Sequence, residues 1–405
     1  MSFKIAHIIL FSLLVAMVSP LHGQTKLPKH PSDHWTTLIQ DGGVLRKDDY
    51  YMRIVDGIGC LTQFNFVDGL SVGPNLTFGK VMPDYGRIEI DEDIKWACSR
   101  EALNAEIALR YVFPPQYCGF LEVFGGSTTK DFDRYPVMSQ NQRSIAAGVF
   151  GWNHPKLYKQ TTFGATLYGA LGNDLQINAL IAWERREQME NTCWRSAFGK
   201  TAKDNRPYIQ TESMEDFGVD KILRIDAQFE YMPGRKILVK DDLTSTMDSE
   251  KPVYSVRTTT GWNGGLRYLS FDFQVVGMMD GWMDNDKILY KAAAGFYAVR
   301  NKVLLMDMRH FDASNFAYQR GFHLGLFSLL DNYELSTSKC WIEGHAEWNN
   351  PLFYGQVHLV KVPDRPAHEE LSGGISFERK FRLGCSIGFD DLCWDGIAVN
   401  FFINM

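Results

Sequence analysis

The chain has 405 residues, 48 acidic against 42 basic, for a net charge of −6. It carries no basic run, which argues against nucleic acid as a partner. Hydrophobic residues at 45% are ordinary, whereas 13% aromatics and 35 glycines favour strands and turns over helices. The seven cysteines show no CxxC or zinc spacing, so no metal, cofactor or particular disulfide pairing is expected.

Residues 1–23 read as a secretory signal: Lys4, an apolar run from Ile8 to Val18, and a small residue at Gly23 before Gln24. An N-terminal anchor is the alternative, but the run is short for a span. Nothing later approaches the roughly 18 consecutive apolar residues of a membrane helix. Residues 24–62 form a polar lead-in with Pro28, Pro31 and Gly42-Gly43; within it, 46–62 fit a short helix or a strand equally.

From residue 63 to 405 alternation dominates. Leu70 to Lys80 reads as a Gly-rich first strand. Ile88, Ile90, Ile94 and Trp96 then alternate with Glu89, Asp91, Asp93 and Lys95. Leu175, Ile177, Ala179, Ile181 and Trp183 repeat the scheme after the hairpin signal Gly172-Asn173-Asp174. The clearest unit is Leu223–Tyr231. Leu223, Ile225, Ala227, Phe229 and Tyr231 share one face; Arg224, Asp226, Gln228 and Glu230 share the other. Further strands are expected at 287–300, 303–310 and 325–335, and then to the end of the chain. Long insertions near 127–158 and 187–219 break the rhythm. The first of these is either a lumen plug or an outer loop, with Trp152-Asn153-His154 as its tip or anchor.

Soluble sandwiches also alternate, but over about five or six residues per strand. Here alternation lasts about ten, the length of a tilted membrane strand. Aromatics near strand ends (Trp96, Tyr111, Trp183, Tyr231, Trp262, Trp348, Trp394) have the placement of interfacial girdles. An exported chain without a membrane helix spans a bilayer only as a closed barrel, since lipid satisfies no backbone groups. The expected fold is all-β: an antiparallel transmembrane β-barrel of roughly 14–16 strands in the cell outer membrane. Its expected partners are outer-membrane lipid and, during biogenesis, the barrel-assembly machinery, with the protein itself a monomer. The last strand, with Ile397, Val399 and Phe401 on one face, suits this reading, although Met405 rather than an aromatic ends it.

Several strings carry a family resemblance: Phe64-Asn-Phe-Val-Asp-Gly-Leu70 with Val72-Gly73-Pro74, Trp183-Glu-Arg-Arg186, and Phe327-Ser-Leu-Leu-Asp-Asn-Tyr333 with Ser336-Thr337. Over roughly residues 45–405 the chain resembles an uncharacterised family of Bacteroidota outer-membrane β-barrel proteins. Its long members carry an N-terminal carboxypeptidase-regulatory-like domain and a periplasmic middle domain. This chain matches the barrel part. The resemblance implies a location and a fold, and transfers no catalytic residue.

Candidate chemistry is sparse. Glu343, His345 and Glu347 share one strand face at about 7 Å per step. They suit a metal or acid–base pair, but a hydrated lumen wall explains them better. His310 and Asp312 beside Arg309 read as satisfied loop or lumen groups. Asp68-Gly69 and Gly73-Pro74 read as a turn or bulge before a recognition element. Asn75-Leu-Thr77 matches a glycosylation acceptor by chance. No G-x-S-x-G is present, so no catalytic residue is assigned and no enzyme is expected. The functional classes left open are a pore, transporter or surface receptor, a structural or assembly protein with a filled lumen, and, less favoured, a barrel-embedded hydrolase.

Overall fold

A computed structural model describes residues 44–403, apart from 56–61, 83–84, 115–116, 137, 139, 210–215, 241–242, 248–249, 282–285, 314–317, 321–323 and 378–380. The signal segment and most of the lead-in lie outside the described residues. The strands of the first half are β1 (Val44–Lys47), β2 (Tyr50–Ile54), β3 (Thr62–Asn65), β4 (Gly69–Val72), β5 (Asn75–Met82), β6 (Gly86–Ala97), β7 (Ala102–Val112), β8 (Phe120–Asp131), β9 (Leu157–Leu171), β10 (Leu175–Gln188) and β11 (Val219–Tyr231). The remainder are β12 (Lys236–Lys240), β13 (Leu243–Met247), β14 (Val253–Trp262), β15 (Leu266–Asp280), β16 (Lys287–Arg300), β17 (Tyr318–Arg320), β18 (Cys340–Asn349), β19 (Phe353–Lys361), β20 (His368–Phe377), β21 (Phe381–Asp390) and β22 (Cys393–Ile403). A helix, α1 (Gln140–Phe150), lies between β8 and β9.

Among the described residues twenty strands form one sheet, and β12–β13 make a separate hairpin. The main ladder is an antiparallel meander from β1 and β2 through β5–β11, β14–β16 and β18–β22. The hairpin β3–β4 hangs on β6, and β17 lies parallel to β22. Among the described residues no pairing joins β1 to β22. Fifteen strands have eight residues or more, within the expected range; β1–β4 and β17 are the short additions.

The two faces meet different media, as the alternation of β11 requires. Ile225, Phe229 and Tyr231 point outward and are exposed, while Asp226 is buried on the inner face. Their register partners obey the same rule: Ile181 opposite Ile225 is exposed, and Glu184, three pairs on, is buried inside. Exposed Ile107, Trp183, Trp262, Phe273, Val357 and Val399 continue the outer face around the sheet. Soluble proteins do not leave so much contiguous apolar surface uncovered. The outer face is a lipid-facing belt, and the protein is an outer-membrane β-sheet protein of barrel type.

The sheet wraps around the connection between β16 and β18. Asp307 in that connection meets Arg186 of β10 at 2.6 Å and Tyr268 of β15 at 2.9 Å. Arg309 reaches Glu343 of β18 at 3.0 Å. The backbone N–H groups of Ser328 and Leu329 donate to Glu370 of β20 at 2.7 and 2.8 Å, and Asn400 of β22 donates to Ser328 Oγ at 3.0 Å. One segment touches walls from β10 to β22 only if the sheet curls about it.

Four expectations need correction. The sheet starts inside the stretch read as polar lead-in, because Tyr51 of β2 packs inward and Tyr50–Ile54 pairs with β5. Leu70 to Lys80 is broken by Gly73-Pro74 into β4 and β5. The insertions are shorter than read, since β8 runs to Asp131, β9 starts at Leu157, and β10 and β11 bracket 189–218. Residues 303–310 and 325–335 are not strands. The first contains a 3-10 turn, Leu305–Asp307, and the second is a set of turns clamped by Glu370.

The face assignment has a direct test. Ile225→Arg puts a charge on the lipid face and is expected to cost about 2–4 kcal/mol near mid-bilayer. Gln228→Ala on the inner face is expected to change little. Urea unfolding in lipid vesicles, with heat-modifiable gel mobility as the folding readout, would show equal effects of the two changes if the faces were misassigned.

Candidate functional site

Long connections at one end of the sheet reach its inner face and form a plug there. The β3–β4 hairpin, residues 132–156, 189–218 and 301–339 all emerge there, whereas most connections at the other end are short; the exception is 232–252, which carries β12–β13. The interior of this plug is held by charge. Arg186 and Glu184 on β10 are both 0% exposed. Arg186 donates to Glu184 Oε2 at 2.6 and 2.8 Å and to Asp307 Oδ2 at 2.6 Å. Arg134 from the 132–156 connection takes Asp307 Oδ1 at 2.7 Å, and Arg224 takes Glu184 Oε1 at 2.7 Å. Burial alone would raise the Asp307 carboxyl, but Arg186 and Arg134 outweigh it and hold it below its ordinary value. Tyr268 reaches Asp307 by lying across Gly261 in the neighbouring strand. A Cβ at Gly261 would stand 2.2 Å from the Tyr268 ring, so only glycine leaves room there.

The insertion read as plug or outer loop is part of this plug. Helix α1 turns Ile145, Ala146 and Ala147 inward, with Ala147 packed beside Phe66 and Ala202. Ser144 accepts from the Phe64 backbone N–H at 3.2 Å. Trp152-Asn153-His154 is the anchor rather than the tip: Asn153 Nδ2 donates to the carbonyls of Lys203 and Asp204 at 2.9 and 3.1 Å. Burial, with Arg143 and Lys156 nearby, lowers His154 to about 4, so it is neutral.

Glu343, His345 and Glu347 do share the inner face, but they do not line a hydrated wall; each is buried. Glu343 pairs with Lys291 and Arg309 at 2.9 and 3.0 Å, and Glu347 with Arg382 at 2.8 Å. His345 and His358 face each other Nδ1 to Nδ1 at 3.0 Å. Together with His368 they surround the Phe327 ring, at centroid distances of 5.3, 5.7 and 5.8 Å. The dryness comes from the 324–338 turns, which the sequence pattern did not place inside.

A Ser–His contact does exist: His310 Nδ1 lies 2.7 Å from Ser336 Oγ. It lacks the access a nucleophile needs, since Ser336 is 1% exposed. Burial, then Arg309 and Arg134, lowers His310 to about 3, which makes it a poor base near neutral pH. Asp312, half-buried in this connection, has its carboxyl raised by lost solvation. His368, Asp390 and Asp395 bring potential metal-ligand atoms within 4.8 Å of one another. His368 is already held on both nitrogens, by Asp390 at 2.9 Å and Glu370 at 3.1 Å, so the group serves as a clamp on the Ser328 turn.

Asp68 is a turn residue that also carries charge. Asn65 Oδ1 accepts the Val67 and Asp68 N–H groups, Gly69 takes φ +70°, and Asp68 receives Arg100 at 2.9 Å. Thr77 is buried and donates to Asp91 at 2.5 Å, so Asn75-Leu-Thr77 serves the sheet. Cys98, Cys193, Cys340, Cys385 and Cys393 carry free thiols, and Cys60 lies outside the described residues.

Between the plug and the wall of β6–β11 lies a cavity of about 520 Å³. Gln63, Ser71, Lys95, Asn104, Asp133 and Asp226 are among its lining residues. Sequence alternation identified the wall groups as inward; the plug side had no periodic signal.

Residues 45–362 match the family described as "Family of unknown function (DUF5686) C-terminal domain". No curated protein matches significantly. Among solved structures, BamA from Haemophilus ducreyi lacking POTRA domains 1–3 is similar at 10% identity and TM-score 0.41, covering 84% of this chain and 68% of that one. CdiB from Acinetobacter baumannii is similar at 11% identity and TM-score 0.37, covering 84% of this chain and 56% of that one. A mutant of the Rh. blastica porin is similar at 7% identity and TM-score 0.33, covering 82% and 89%.

Two measurements test the plug. Asp307→Ala removes the carboxylate that pairs with Arg134 and one of the two that hold Arg186, and is expected to cost about 3–5 kcal/mol in chemical unfolding; a change under about 1 kcal/mol would contradict the network. Burial pushes the Asp133 carboxyl up to about 6 against Arg309 and Arg143. The folded chain therefore holds this proton more tightly than the unfolded one. Stability falls as pH rises from about 4 to about 6 and stays lower above that. Asp133→Asn is expected to raise the melting temperature at about pH 8 and leave it unchanged near pH 4, whereas equal shifts at both would rule out this titration.

Proposed function

This chain belongs to the DUF5686 C-terminal domain family, and we propose that it is a monomeric outer-membrane barrel with a closed lumen that admits a polar solute into an internal chamber. Lumen closure carries the reading. A wall of fifteen long strands would leave an aqueous channel if only wall side chains filled it. Here Arg186, Asp307 and Arg134 tie two chain connections across that space. The long connections face outward, as in outer-membrane barrels generally, and the short turns face the periplasm. Residues 1–23 direct export, and the barrel-assembly machinery inserts the sheet. The cavity of about 520 Å³ is within the range of small-ligand sites.

A structural envelope role is the second reading. It is favoured by the apolar packing of Phe311, Phe327, Leu330 and Leu335 against Trp341 and Val360, which fills the opposite side of the lumen. A barrel-embedded hydrolase gains no support from the occluded Ser336.

Planar-bilayer recording of the full chain tests the closed lumen. The wild type is expected to show no steady conductance, and replacement of residues 303–338 by a short Gly-Ser linker is expected to open a channel. A sustained ohmic conductance in the wild type would exclude the reading.

A further inference from the structure

The chamber's charged lining is largely neutralised from within. Arg100 is spent on Asp68 at 2.9 Å and Arg143 on Asp131 at 2.8 Å. Arg134 is spent on Asp307 at 2.7 Å, Arg224 on Glu184 at 2.7 Å, and Arg257 on Asp226 at 2.5 Å. An ionic ligand would displace one member of such a pair and strand the other without compensation, which is strongly unfavourable when buried. What remains for a ligand is mainly amides and hydroxyls, with the Asp133 carboxylate and the unpartnered Arg143 Nε–H beside them.

Two of these end in atoms with no hydrogen-bond partner: Gln63 Nε2 and Ser71 Oγ. Both side chains line the chamber and are deeply buried, at 7% and 3% exposure. Buried polar atoms without partners are uncommon, and a ligand that supplies the missing partner gains what the protein alone forgoes. Asn104 and Asn178 add amides on the wall. Asp133 adds a carboxylate outside any salt bridge among the described residues, able to accept from a hydroxyl. At the edge stands Tyr135, 58% exposed, with the Arg257 guanidinium 4.5 Å from its ring centroid. An aromatic ring suits the apolar C–H face of a sugar ring.

We infer that the chamber binds a neutral polyhydroxylated solute of mono- to disaccharide size. Amide and hydroxyl donors, one carboxylate acceptor and an aromatic face match alternating hydroxyls on a saturated ring. Matched charges disfavour acids and amines. The inference rests on the closed-barrel reading, because it takes the chamber as the ligand space.

The test is isothermal titration of the full chain in detergent with glucose, maltose, lactose and sucrose, alongside citrate and spermidine. Saturable binding of at least one neutral sugar is expected. Ser71→Ala is expected to weaken it roughly three- to tenfold with an unchanged melting temperature, because Ser71 Oγ makes no hydrogen bond in the protein. Gln63→Leu provides a second variant with the same expected direction. Absence of binding by all four sugars, tighter binding of citrate or spermidine, or sugar binding insensitive to both variants would each overturn the inference. Failure here alongside a silent bilayer record removes the sugar alone; an open wild-type pore removes the closed barrel itself.

Discussion

The lumen of this protein depends on one carboxylate. Asp307 accepts from Arg186, Arg134 and Tyr268, three groups delivered by two strands and a connection. A charge removed from water must be matched where it lies, or the fold pays several kcal/mol. Arg186 in turn requires Glu184, which requires Arg224, so the matching spreads along β10 and β11. The wall is polar on its inner face to compensate the plug as much as to face water. The outer face follows a separate constraint, since lipid offers no partners to backbone groups and every strand must find its neighbour.

Much of the wall was legible in the sequence. The period of two in Leu223–Tyr231 placed Ile225 toward lipid and Asp226 inward, and the register with β10 agrees residue by residue. Strand length distinguished this sheet from a sandwich. The plug was not legible, because turns have no period. Phe327-Ser-Leu-Leu reads as a strand by composition, yet the Glu370 carboxylate captures the Ser328 and Leu329 N–H groups that a ladder would use. The same blindness explains Glu343, His345 and Glu347. Their inward direction followed from alternation, whereas their dryness depends on what packs over them. The chamber is a product of both parts: alternation points Asn104 and Asn178 inward, but only the folded hairpin brings Gln63 and Ser71 to face them.

The interior is divided chemically. On the side of β16–β19, Phe311, Phe327, Leu330 and Trp341 make an apolar cluster that leaves little for a solute to do. On the side of β6–β11 the lining is amide, hydroxyl and paired charge around open space. One plug thus serves two ends, sealing by close packing where it meets the second half of the wall and shaping a polar space where it meets the first.

The contacts that seat the plug also bear on how the molecule is made. Arg186 and Asp307 are 121 residues apart in the chain, and Tyr333 and Asp131 are 202 apart. Contacts this remote are slow to form, because loop-closure entropy is lost before any contact repays it. The later residue of each pair emerges long after its partner, so Asp131 and Arg186 have only their nearby partners, Arg143 and Glu184, until the connection after β16 arrives. Wall and plug then become a single cooperative unit, and a chain halted before residue 307 would lack the carboxylate that Arg134 and Arg186 share.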